Sequence, residues 1–240
     1  MKYDNPAGRL LEILLKVQAY PKNASARDVW REVFELPASE TLSPLMTAKL
    51  GTTMLLVQQA IDLLREDHPE LADPHPGWAV QVSHAFQAHN VHSHIETFSA
   101  NISTDLVANV RTAAVLLDKG SKRKTLSVEK LAEMREAIDV VLKDVLESDE
   151  MDAGLRNYVV RALRKILTAI DEYKLTGATP ILESIEQAVG HVMVDPEYKN
   201  FLANAPLGQR VFNALQAAGS IVTVATGMPA LTHTAQLFLR

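Results

Sequence analysis

Six of the eight histidines in this 240-residue chain, His68, His75, His84, His89, His92 and His94, fall within one short stretch. Among them His89 and His92 stand with Glu96 at i, i+3, i+7. If one helix runs through all three, their side chains converge on one face, and imidazole with carboxylate is a ligand set for a first-row metal. A tetrahedral site needs one or two further ligands, and nothing in the linear sequence marks them. The competing reading makes His92 and Glu96 an exposed i, i+4 pair on a solvated helix face. Isolated histidine spacing is nonspecific, so the expectation is no metal and no cofactor, with His89, His92 and Glu96 as the one candidate ligand set. His84 lies on the apolar stripe of Val91 and Ile95 and is expected to be partly buried. Clustered histidines also charge together near neutral pH, which would make a pH sensor.

Basic residues gather in two places. Lys119, Lys122, Arg123 and Lys124 line a polar stretch, and Arg156, Arg161, Arg164 and Lys165 follow on helical segments. Contact with phosphates or an anionic membrane would use such groups. Against that, Glu129, Glu133, Glu136 and Asp139 lie close by, Tyr158 is the one aromatic residue that interleaves with the bases where stacking platforms would be needed, and the net charge is -5. Nucleic acid is therefore not an expected partner. The chain has no Cys, which removes disulfides, thiolate zinc sites and thiol nucleophiles together. No G-x-x-x-x-G-K-[ST], H-E-x-x-H or G-x-S-x-G motif occurs, so no catalytic residue is nominated.

One further feature bears on function. From Val211 to Leu239 there is no Asp, Glu, Lys or Arg. Asn213, Gln216, Ser220, Thr223 and Gly227 recur at i, i+3, i+7, i+10, i+14, which draws one polar seam along an otherwise apolar helix. Gly219, Thr223 and Gly227 also form a small-xxx-small ladder of the kind that packs helices closely in lipid. Two environments suit such a rod. As a central bundle helix it would show its seam to solvent, with Leu231, Ala235 and Phe238 forming a last helix docked on the core. As a membrane-inserting helix over 211–239 it would bury the seam in an oligomer, at about 1–3 kcal/mol for each unpartnered polar group. The bundle reading is preferred, because Asn213, Gln216, Pro229 and Gln236 dilute the hydrophobicity.

The elements that would position these residues are helical throughout. Asn5 followed by Pro6 caps a first amphipathic helix running to about Tyr20. Ser25 with Asp28 resembles a capping box for a short helix holding Val29, Trp30, Val33 and Phe34. Ser43 and Pro44 open a longer helix with Leu45, Ala48, Leu55, Ala60, Ile61 and Leu64 as its expected inner face. A helix from about Ala79 to Leu117 carries the histidines, with a break near Asn101. Ser127, Asp152, Thr179–Pro180 and Asp195–Pro196 open later helices, and Pro206 precedes the uncharged tract.

The fold class expected is therefore all-α: a multi-helix bundle of nine or ten helices, as one domain or as two packed sub-bundles covering 1–119 and 126–240. With no secretory signal at the N-terminus, the expected location is the cytoplasm. The function expected is non-enzymatic, a helical interaction or assembly protein binding a protein partner or forming a homo-oligomer. The alternative is a membrane-active effector of toxin or phage-defence type, peripheral to the membrane and acting through 211–239. A metal-dependent enzyme ranks third.

Overall fold

The computed structural model describes residues 2–40, 44–71, 76–119, 124–149 and 151–227. Twelve α-helices and three short 3-10 turns account for 80% of the described residues, which contain no strand, so the protein is all-α. There are more helices than the expected nine or ten, because the segment from 77 to 119 is broken twice and short helices intervene elsewhere. The chain divides into two compact units, residues 1–121 and 122–240.

In the first unit α1 (Pro6–Gln18) is the hub. Asn5 accepts a hydrogen bond from the Gly8 amide, while Pro6 occupies a first-turn position where no N–H is needed. The Asn5 amide group also donates to the Ala114 carbonyl at 3.0 Å, which ties the start of α1 to α6 (Thr104–Lys119). Leu10, Leu14 and Val17 are completely buried. Each such side chain withdrawn from water contributes about 1.5–3 kcal/mol to folding. Around α1 pack α2 (Ala26–Val33), α3 (Pro44–Asp67) and α6, with α4 (Gly77–Ala88) and α5 (Glu96–Ser99) completing the unit. Asp4 and Arg9, both buried, neutralise one another across 2.6 Å.

The end of α2 carries a local strain. The Leu36 amide reaches back to the Arg31 carbonyl and the Glu35 amide to that of Glu32, the paired bonds of a Schellman motif. That closure needs a left-handed residue, and Glu35 supplies it at φ 57. A side chain there costs about 1–2 kcal/mol that glycine avoids, offset in part by glycine's freedom in the unfolded chain. Glu35→Gly is therefore expected to raise the stability of the first unit by about 0.5–1 kcal/mol. Glu35→Val should lower it, and denaturant titration of the two variants checks both signs.

The second unit is organised on α12 (Pro206–Thr226), which packs against α7 (Val128–Glu147), α10 (Thr179–Gly190) and α11 (Pro196–Asn204). Helix α8 (Ala153–Asp171) pairs with α7 and α10 and is followed by the single turn α9 (Tyr173–Thr176). Starts are again set by side chains: Ser127 caps α7, Asp152 caps α8 and Asp195 caps α11. The Tyr173 hydroxyl accepts from the Leu126 amide at 2.7 Å and fixes the approach to α7. Arg210 of α12 pairs with Asp144 of α7.

Candidate functional site

The three candidate ligands do not share a helix. Helix α4 stops at Ala88, and His89 is its C-cap in extended conformation, φ -70 and ψ 132. His92 lies in the turn that follows, and Glu96 opens α5. What breaks the expected helix is backbone pairing. The Ala26 amide donates to the Ser93 carbonyl at 2.9 Å, and the Ile95 amide to the Ala24 carbonyl at 2.8 Å. These bonds satisfy the groups that a continuous helix would have paired internally. Glu96 faces Lys22 at 3.8 Å instead of a histidine. His84, expected on the apolar stripe, is exposed, because the break removes Val91 and Ile95 from its face.

His89 has a different use. Trp30 Nε1 donates to His89 Nε2 at 2.8 Å, and His89 Nδ1 lies 3.1 Å from Thr97 Oγ1. Thr97 Oγ1 in turn donates to the His94 carbonyl. This network assigns a neutral ring with its proton on Nδ1. Its nitrogen lone pair is committed to tryptophan, which closes the metal reading at this residue. Burial holds the imidazole far below its ordinary 6.5, at about 4. Below 6.5 the unfolded chain therefore takes up a proton that the folded chain refuses. The first unit is expected to lose stability steadily as pH falls from 6.5 towards 4, with no such effect above 6.5. Melting midpoints of wild type and His89→Gln across that window check this; the substituted chain should lose less on acidification.

Helix α12 contains the first part of the uncharged tract. It starts at Pro206 and ends at Thr226, where Gly227 takes φ 69 and donates its amide to the Thr223 carbonyl. The expected rod over 211–239 thus ends as a helix at 226; residues 228–239, with Leu231, Ala235 and Phe238, lie outside the described residues. Leu215, Val222, Ala218 and Gly219 are buried against the unit, while Asn213, Ser220 and Gly227 are exposed, with Gln216 and Thr223 half-buried. Ser220 and Thr223 donate to the carbonyls of Gln216 and Gly219 one turn back, so these two hydroxyls are satisfied within the helix. Val224 alone breaks the pattern by standing in solvent. No helix of the described residues is long and apolar enough to cross a membrane.

A cluster in the second unit escaped the sequence reading. His191 Nε2 lies 3.3 Å from Asp195 Oδ2, and its ring stacks on Tyr158 with centroids 3.8 Å apart. Tyr198 meets Tyr158 edge-on, and the Arg161 guanidinium lies over the Tyr158 ring, 5.8 Å from its centroid. Asp195 also accepts from the Glu197 and Tyr198 amides, which holds its carboxyl below the usual range. A His–Asp pair is the beginning of a general base. Here, however, burial pushes the Tyr158 hydroxyl up to about 12 and Tyr198 higher still, so both stay protonated. Among the described residues no serine or threonine hydroxyl hydrogen-bonds His191. The arrangement locks α8, the end of α10 and the start of α11 together. The i, i+4 spacing of His191 and Asp195 was visible; the tyrosines that give it meaning come from other helices.

An exposed apolar row lies on α3. Its buried side consists of Met46, Thr53, Leu56, Val57, Ala60 and Ile61. Leu45, Ala48 and Leu55, expected on the inner face, point outward instead, with Leu45 42% and Leu55 52% exposed. Met54 joins them at 46%. Between Pro44 and Ile61 the only charged residue is Lys49, so the helix offers apolar candidates on two faces and periodicity cannot choose between them. Thr53 is accepted inside because its hydroxyl donates to the Lys49 carbonyl at 2.8 Å. Leu45, Ala48, Thr52 and Leu55 then recur at i, i+3, i+7, i+10 on the outer side, the spacing of a helix-pairing seam.

Comparison with protein-family models, with curated proteins and with solved structures finds no match to this chain in any of the three.

Proposed function

We propose that this chain is a non-enzymatic helical interaction or assembly protein, binding a protein partner or a second copy of itself through the outer face of α3. The observation that carries this reading is the row Leu45, Ala48, Thr52 and Leu55, three of them exposed, with exposed Met54 beside it and Lys49 the one charged residue between Pro44 and Ile61. Isolated exposed leucines are ordinary on protein surfaces, but a row at pairing period is not. Packing another helix on it would withdraw that row from water without stranding a carboxylate, since no acidic residue occurs between Pro44 and Ile61. Helix-in-groove and helix-pair recognition both use anchors at this spacing.

The test pairs native mass measurement with crosslinking. Self-association of the wild type is expected to be weakened about tenfold or more in the double variant Leu45→Glu, Leu55→Glu, whose outward positions leave the fold intact by circular dichroism. If the wild type is monomeric at high micromolar concentration, a photo-crosslinking residue at position 54 should capture one defined protein in the cell, lost in the double variant. A monomer that yields no defined crosslink overturns the proposal.

A further inference from the structure

The amino-terminal segment, α1 and α6 enclose a cleft of about 520 Å³ in the first unit. That volume lies within the range of small-molecule sites, roughly 300–1,000 Å³. Its apolar lining comes chiefly from Tyr3, Leu11 and Leu15. Leu15 is 40% exposed, although it sits on the most buried helix of its unit. The charged lining is one-sided. Lys2, Lys16 and Arg111 enter from three separate stretches of chain, against the single carboxylate of Glu12. In a protein of net charge -5, that convergence gives the cleft the opposite sign to the molecule as a whole. Part of the carboxylate's capacity is already used, because Glu12 accepts the Lys2 backbone amide at 3.0 Å. Two of the cations are only loosely engaged elsewhere. Lys16 stands 3.8 Å from Glu35 with both side chains well exposed, and Lys2 lies over the Tyr3 ring at 5.2 Å.

We propose that this cleft binds a small amphiphilic organic anion, with its carboxylate or phosphate head among Lys2, Lys16 and Arg111 and its apolar body along Leu11, Leu15 and Tyr3. Charge complementarity selects the head and the apolar lining selects the tail. The site uses residues distinct from the outer row of α3, so it stands or falls independently of the association proposed above.

Decanoate, decyl phosphate, decanol and acetate are the probes, with binding to the full chain measured by titration calorimetry. Decanoate and decyl phosphate are expected to bind saturably, one per chain, with decanol and acetate each at least tenfold weaker. The variant Lys16→Glu, Arg111→Glu changes two exposed side chains and should keep its circular dichroism and melting point while losing at least tenfold in decanoate affinity. Leu15→Ser should weaken decanoate and leave acetate unchanged. Equal binding of decanol, equal binding by the charge-reversed variant, or no saturable binding would each overturn the proposal. So would cosedimentation with phosphatidylserine vesicles without binding of the free anions, which would make the cleft a membrane-surface patch.

Discussion

Gly208→Ala is expected to cost the second unit about 3 kcal/mol or more, the upper end of overpacking effects and beyond, because no side chain can yield to the added methyl group. A Cβ on Gly208 would stand 1.9 Å from the Phe201 carbonyl oxygen and 2.5 Å from its carbon, with the Leu202 Cα at 3.0 Å. All three obstacles are backbone atoms of α11, so relief requires α12 to move bodily away from it. That movement would open the contacts of Leu207 and Val211 and strain the Ala205 corner, whose amide is bonded to the Phe201 carbonyl. A unit of this size has only about 5–15 kcal/mol in hand, so a loss of that order is visible in any denaturant titration. The control is Gly51→Ala on the outer side of α3. Nothing lies within 4 Å of the Cβ it would gain, and alanine favours the helix by about 1 kcal/mol. An unfolding midpoint for Gly208→Ala equal to that of wild type would mean that α11 and α12 do not approach as described.

Trp30→Ala is the second large effect, expected to destabilise the first unit by about 3–5 kcal/mol. Trp30 has no exposed surface and is surrounded by rings, with Phe34, Phe86, His89 and Phe98 at centroid distances of 5.4, 6.2, 5.8 and 5.1 Å. Truncation would leave a cavity among groups that belong to α2, α4, α5 and the turn between them, none of which can close it alone. Trp30→Phe separates packing from hydrogen bonding. It retains most of the ring contact but strips His89 Nε2 of its donor, which should cost about 1–3 kcal/mol. Burial is what holds the imidazole low; losing the indole donor removes a further preference for the neutral ring, so the pH dependence between 6.5 and 4 should also flatten. If Trp30→Phe and wild type share one pH profile, the tryptophan does not control the state of His89.

Together these results describe a protein in which histidines, polar seams and acidic caps chiefly hold helices in place. His89 is an internal acceptor, His191 a stacked link, and the α12 seam an outer stripe whose Ser220 and Thr223 hydroxyls bond within the helix. What they leave over is the outward row of α3 and the cationic cleft beside α1. Both present exposed side chains beyond the core, which is why both carry proposals about binding.

The starts of the helices were legible from the chain because the signals are local. Asn5, Ser25, Ser127, Asp152 and Asp195 each bond amides two or three residues ahead, and Pro6, Pro180, Pro196 and Pro206 stand where a first turn tolerates proline. The part of the uncharged stretch from Val211 to Thr226 was legible as a helix with one buried side and one polar stripe for a similar reason, since period and charge are properties of one segment. The end of α4 left one overlooked trace, Asn90, whose side chain accepts from the His92 amide. The rest of that break, and the outward turn of Leu45 and Leu55, had no local signature. Pairing between residues 24–26 and 93–95, and the choice of which apolar side of α3 meets α1, depend on partners distant in sequence. A helix with two apolar faces is degenerate until a neighbour covers one of them, and only packing removes that degeneracy.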